Sequence, residues 1–225
     1  MVVDMSDPAN IKEVSRWWVP GQMRDELDEY RKWNFAGDRS SWSSAHGAPV
    51  VPQRIEDGGR YGFGGFGHFG MYVFDFSDLR NPRVIAQFPR PQAPKDAPYP
   101  DFALARGRFG SHNTQAWVAP GRMRPELVAI AFFNAGIRVF GISEPRDPRE
   151  VAWFVPPHTG ELDNYESWYR GIGETVFIEW DRKLIWLGSH NGTYCLSTPS
   201  LGEPVLEPRK IERWTIPHVN TRWDA

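Results

Sequence analysis

A chain of 225 residues with 26 Lys and Arg against 28 Asp and Glu carries a formal charge of -2. That leaves no basic excess to neutralise a phosphate backbone and excludes nucleic acid as the expected partner. The single cysteine, Cys195, rules out an internal disulfide and a cysteine-rich zinc framework, and no apolar run is long enough for a membrane-spanning helix.

Met1-Val2-Val3-Asp4 runs straight into polar Ser6-Asp7-Pro8, without the basic start and apolar stretch of an export signal. As it stands, the chain reads as cytoplasmic. Strong β-formers punctuated by Gly and Pro, including 11 Trp, 21 Gly and 20 Pro, predict an all-β chain rich in turns.

One pattern opens the chain and returns twice: Asp4-Met-Ser-Asp-Pro-Ala-Asn-Ile-Lys-Glu-Val14, Asp75-Phe-Ser-Asp-Leu-Arg-Asn-Pro-Arg-Val-Ile85 and Gly141-Ile-Ser-Glu-Pro-Arg-Asp-Pro-Arg-Glu-Val151. Ser, Asp and Asn bond their own backbone in turns and Pro presets φ, so each copy is a tight loop between strands. Before the loop come Gly70–Phe74, Gly136–Phe140 and the more divergent Gly192–Leu196. After it, a strand ending in Pro recurs four times, at Trp17–Pro20, Phe88-Pro89, Trp153–Pro156 and Trp214–Pro217. Probable inner strands lie upstream, at Ala48–Val51, Thr114–Val118 and Thr175–Ile178. Second strands follow at Leu127–Phe132 and Lys183–Leu187.

Short strands recurring at such intervals are the sequence form of a β-propeller. The expected order along the chain is outer strands of a truncated blade (1–20), an insertion with a short helix (21–45), a blade (46–89), a loop insertion (90–107), a blade (108–157), a loop insertion (158–172), a blade (173–217) and a tail (218–225). About three four-stranded blades plus an orphan N-terminal strand pair do not close a ring. Self-association, or a missing N-terminal half, is the expected means of completion.

These segments resemble the LVIVD repeat family, whose units carry an apolar-apolar-Val-Phe-Asp strand followed by Ile-Ser-Asp-Pro…Pro; Asp75–Val84 is nearest the pattern and Gly141–Val151 close to it. The fourth unit has lost the acidic loop. The resemblance implies a propeller and leaves the activity open, because one fold hosts many functions.

Two histidines occupy matching places, His46 just before one inner strand and His112 just before the next; the corresponding place in the third unit holds Gly173-Glu174. Inner strands line a propeller's channel, so His46, His112 and Glu174 form the candidate metal site. Imidazole and carboxylate suit a divalent metal such as Zn, Fe or Cu. Propellers of the selenium-binding type, to which this chain is distantly similar, use axial histidines in this way. A lone histidine there would instead cap a strand end. Asp163, Tyr165 and Trp168, within an insertion, are the candidate ligand-binding residues for a small molecule.

His68 and His190 read as turn residues, and His158 and His218 as solvent-facing. Gly62-Phe-Gly-Gly-Phe-Gly67 matches G-x-G-x-x-G but precedes the strand Met71–Phe74 instead of opening a helix, so it is not a dinucleotide site. Two functions follow. The first is a ligand- or protein-binding module. The alternative is a metal-dependent or acid/base enzyme with His46, His112 and Glu174 at the channel mouth.

Overall fold

The computed structural model describes residues 1–17, 51–52, 60–65, 70–104, 109–114, 126–157, 173–189 and 192–207. The chain there is all-β apart from one 3-10 turn at Phe102–Leu104. Its strands are β1 (Val2–Asp4), β2 (Lys12–Ser15), β3 (Val51–Pro52), β4 (Tyr61–Gly65), β5 (Met71–Asp75), β6 (Arg83–Gln87), β7 (Leu127–Ala131), β8 (Ile137–Gly141), β9 (Arg149–Phe154), β10 (Gly173–Glu179), β11 (Leu184–Ser189) and β12 (Gly192–Leu196). They form four antiparallel sheets in chain order: β1-β2, β3-β4-β5-β6, β7-β8-β9 and β10-β11-β12. Among the described residues no sheet closes on itself, and no helix is long and apolar enough to cross a membrane.

One expectation needs correction, and another lies partly outside the described residues. Only the second sheet has four strands among the described residues. Of the expected inner strand Thr114–Val118 only Thr114 is described, bridged to Ile130 and flanked by bonds from His112 N–H to Ala131 O and from Ala131 N–H to Asn113 O, both 2.8 Å. The glycine-rich string does not merely precede a strand, because Tyr61–Gly65 is itself β4, paired along its length with β5. Its glycines hide the alternation by which strands are read. Phe63 is the one side chain β4 sends into the core.

The hairpins β1–β2, β5–β6 and β8–β9 share one register. Asp4 pairs with Lys12, Asp75 with Arg83 and Gly141 with Arg149. Each has a bulge at the same step, which leaves Val14, Ile85 and Val151 as the extra residue. The bulge shifts the alternation of the outer strand, so that Glu150 and Trp153 both reach the same neighbour, Arg138.

The loops repeat too. The side-chain oxygens of Asp7, Asp78 and Glu144 accept the amides of Ala9, Arg80 and Arg146 (3.1, 2.9 and 3.1 Å), and their carbonyls accept those of Asn10, Asn81 and Asp147 (3.0 Å each). The fourth unit keeps this geometry without an acid. Thr198 Oγ1 accepts Ser200 N–H at 3.4 Å and its carbonyl accepts Leu201 N–H at 3.0 Å. A hydroxyl replaces a carboxylate, as in other side-chain turns. At the opposite ends, the glycines just before β5 and β8 and at the start of β12 all take positive φ: Gly70 (+88°), Gly136 (+72°) and Gly192 (+133°).

The sheets stack face to face in sequence order. At each junction an aromatic just past, or at the end of, one outer strand meets β5, β8 or β12 of the next sheet. Trp17 meets Phe74 edge-on at 5.0 Å, Phe88 meets Phe140 edge-on at 5.0 Å, and Phe154 meets Tyr194 at 5.1 Å. Two larger cores fill the later junctions. Phe63, Met71, Val73 and Phe88 pack with Val128, Ile130, Phe132 and Phe140 between the second and third sheets. Leu127, Ala129, Ile137 and Val139 pack with Val176, Ile178, Ile185 and Leu187 between the third and fourth.

Asp75 anchors its loop most firmly. Its Oδ1 accepts the Ser77 hydroxyl (2.5 Å) and amide (2.9 Å), and its Oδ2 pairs with Arg60 Nη2 at 3.2 Å. The Ser77 hydroxyl, then Arg60, then the Ser77 amide hold the carboxyl down to about 2, below its ordinary 3.8. A depressed carboxyl pKa stabilises the fold fully above its unfolded value, and that contribution fades as pH falls through the folded value. Asp75→Ala is therefore expected to cost about 1 kcal/mol at neutral pH, as for a lost turn or cap bond. Urea denaturation checks this, and the gap from the parent should narrow between pH 4 and pH 2.

Candidate functional site

The turn from β7 to β8 brings three chain segments together. Its Phe133 has φ +47°, an outlying conformation for a bulky side chain. The surroundings over-determine it. The Phe133 carbonyl accepts Gly136 N–H (2.8 Å) within the hairpin and Gly173 N–H (2.9 Å) from the fourth sheet, and the residue also bridges to Phe109. Backbone strain held by such contacts is what functional sites commonly store.

Glycine makes this convergence possible. A Cβ on Gly136 would sit 2.0 Å from Phe154 O, and one on Gly173 would lie 3.2 Å from Gly136 Cα and from Leu187 Cδ1. Gly136 fits against β9 of its own sheet only without a side chain, and at Gly173 the third and fourth sheets lie so close that a side chain would make its neighbours give way.

His112 stands beside this turn. Its ring lies 4.4 Å from the Phe133 ring at 35°, and the residue is half-buried. Ser111, just before it, is buried and donates to Gly70 O at 3.3 Å, which ties this segment to the second sheet. Phe133 is thus touched by the His112 ring and, through its carbonyl, by the amide of Gly173, the residue before Glu174.

The other candidates, His46, Asp163, Tyr165 and Trp168, lie outside the described residues, as do His68, His158, His190 and His218. Among the described residues no group of three His, Cys, Asp or Glu side chains is placed to share a metal ion. The turn residue Phe133 escaped the sequence reading because the left-handed conformation falls on an aromatic, although Asn134 and Gly136 stand within two or three positions of it. Trp153, near the end of β9, is 53 % exposed.

The chain matches no known protein-family model, and no curated protein matches it.

The glycines give a direct test of this geometry. Gly136→Ala should lower stability by about 3 kcal/mol or more, combining the left-handed backbone with a collision against a carbonyl. Gly70 has the same place in its hairpin but only Gln87 Nε2 at 3.5 Å. Gly70→Ala should therefore cost about 1–2 kcal/mol, from the backbone alone. Thermal melts of the two variants side by side check the difference.

Proposed function

We propose that the four sheets are consecutive blades of an LVIVD-type β-propeller, and that the protein is a binding module whose site lies at the end carrying the β7–β8 turn. The observation that supports this best is the shared hairpin: one register, one bulge and one loop bond pattern, stacked in chain order with an aromatic at each junction. Sheets too small to bury both faces gain cores from their neighbours, which is the logic of radial repeats.

The opposite ends of the blades offer little to a ligand, since their loops satisfy their own amides with their own side chains. The turn end has His112 half-exposed, a strained Phe133 beneath it and three chain segments converging. Such loops, held by a rigid scaffold, are where binding groups collect. A small molecule with polar and aromatic character suits the imidazole of His112 and the Phe133 ring beside it.

A second reading has one specific observation in its favour. The junction at Phe133 joins His112 to the strand start bearing Glu174, two members of the candidate metal or acid/base set with His46. In that reading His112 would ligate a divalent metal or act as a general base.

One experiment separates the two readings. A small-molecule set is screened by thermal shift against the parent and His112→Ala, with each hit followed by NMR for chemical change and the purified protein assayed for metal. Binding without turnover should raise the parent's melting temperature by on the order of 5 °C at hundredfold excess over Kd, and the shift should be lost in the variant. Stoichiometric metal removed by His112→Ala, or conversion of a hit, would establish the enzyme reading instead.

A further inference from the structure

Two residues after their glycines, the second and fourth sheets carry Tyr72 and Tyr194, and the third carries Arg138. Arg138 is 1 % exposed. Its Nε donates to Ala135 O at 3.0 Å and its Nη1 reaches the Glu150 carboxylate only at 3.3 and 3.4 Å. Its Nη2 is buried with no hydrogen-bond partner among the described residues. Burial pulls the guanidinium below its usual pKa, with Glu150 opposing. A buried cation so weakly matched is poor stabilisation, and tyrosine serves the same position elsewhere in the chain.

The guanidinium lies 5.2 Å from the ring of Phe102. Phe102 belongs to none of the sheets. It enters from the proline-rich segment between β6 and the third sheet, whose ends are clasped by Arg90 and Asp101 at 2.9 Å. Most of that strap is exposed or half-buried, yet Phe102 is fully buried. Its ring lies parallel to Phe109 at 6.3 Å and near Tyr99 at 5.5 Å, and its carbonyl accepts Asn134 Nδ2 at 2.9 Å. A phenyl ring stacked on aromatics, an amide on the adjoining carbonyl oxygen and an arginine with a nitrogen to spare is the donor set that would hold an aromatic acid.

We propose that Phe102 occupies, in place of a ligand, a site for an aromatic carboxylate, whose ring takes the Phe102 slot and whose carboxylate takes Arg138 Nη2 and Asn134 Nδ2. The strap is the lid. It contributes no strand to any sheet, so it is able to leave without unpairing one. The inference needs only the second and third sheets and the strap, and stands whether or not the blades close into a ring.

The test uses 3-phenylpropionate as probe, with propylbenzene as its uncharged match and an acetylated tripeptide ending in Phe to represent a C-terminal carboxylate. Calorimetry on Phe102→Ala should show 3-phenylpropionate binding at least tenfold tighter than to the parent and at least tenfold tighter than propylbenzene. Adding Arg138→Met should erase the preference for the acid. The tripeptide binding as tightly as 3-phenylpropionate assigns the site to chain termini, and its exclusion assigns it to small acids. Should Phe102→Ala fail to fold, Arg90→Ala keeps the core residue and loosens the clasp, and should bind 3-phenylpropionate several-fold tighter than the parent with faster amide exchange over residues 92–101. Equal affinity for the acid and propylbenzene, indifference to Arg138, or no binding to either variant overturns the proposal.

Discussion

A three- or four-stranded sheet has two faces and too little chain to cover both, so the whole stack depends on how one sheet meets the next. Here that contact is made by one side-chain position per unit, Trp17, Phe88 and Phe154, reaching β5, β8 and β12 of its neighbour. Full burial of such aromatics against one another contributes on the order of 3 kcal/mol each, with edge-on geometry adding to area. The bulge in each outer strand matters because a slip of one residue exchanges the two faces. With Val14, Ile85 and Val151 set aside as extra residues, the loop keeps its bonds and the aromatic still faces the next sheet.

Against that regular background, the departures carry the information. Thr198 replaces an acid and changes nothing in the loop bonds, so it is tolerance. Arg138 replaces a tyrosine and introduces a buried charge with an unmatched nitrogen, which no packing argument requires. Phe133 takes a backbone conformation that a glycine or asparagine would adopt more easily, and is kept there by bonds from two other segments. Local rules broken without structural gain are expected at sites retained for another purpose.

Much of the fold was legible because its signals are local. The loops could be read from Ser, Asp and Pro spacing, since their side chains bond amides two residues away, and the hairpin glycines stood five residues before the loop. Strand β4 could not be read from alternation, because Gly62, Gly64 and Gly65 leave no side chains to alternate. The junction at Phe133 and the burial of Phe102 were illegible for a different reason. Each depends on partners some 25 to 40 residues away in the chain, such as Gly173 for Phe133 and Asn134 and Arg138 for Phe102, and nothing in the spacing of the strap marks Phe102 for the core. Of the candidate site, His112 lies against Phe133 and Gly173 donates to the Phe133 carbonyl, while His46 lies outside the described residues.

The two ends of the stack can then be compared on physical grounds. At the loop end, Asp4, Asp75 and Glu144 each spend their carboxylate on an amide two residues on, and Asp75 also takes Arg60. Those groups are satisfied at short range and exposed, so an incoming ligand would have to displace bonds already made. At the turn end the bonds cross between sheets, as in Gly173 to Phe133 and Ser111 to Gly70, and the fold tolerates both a strained residue and a buried nitrogen without a partner. Strain and unmet hydrogen bonding are unfavourable in the isolated protein, and a ligand that relieves either binds with that difference in its favour. On the proposed reading, recognition therefore belongs to the turn end, and the acidic loops, satisfied by their own amides, belong to stability.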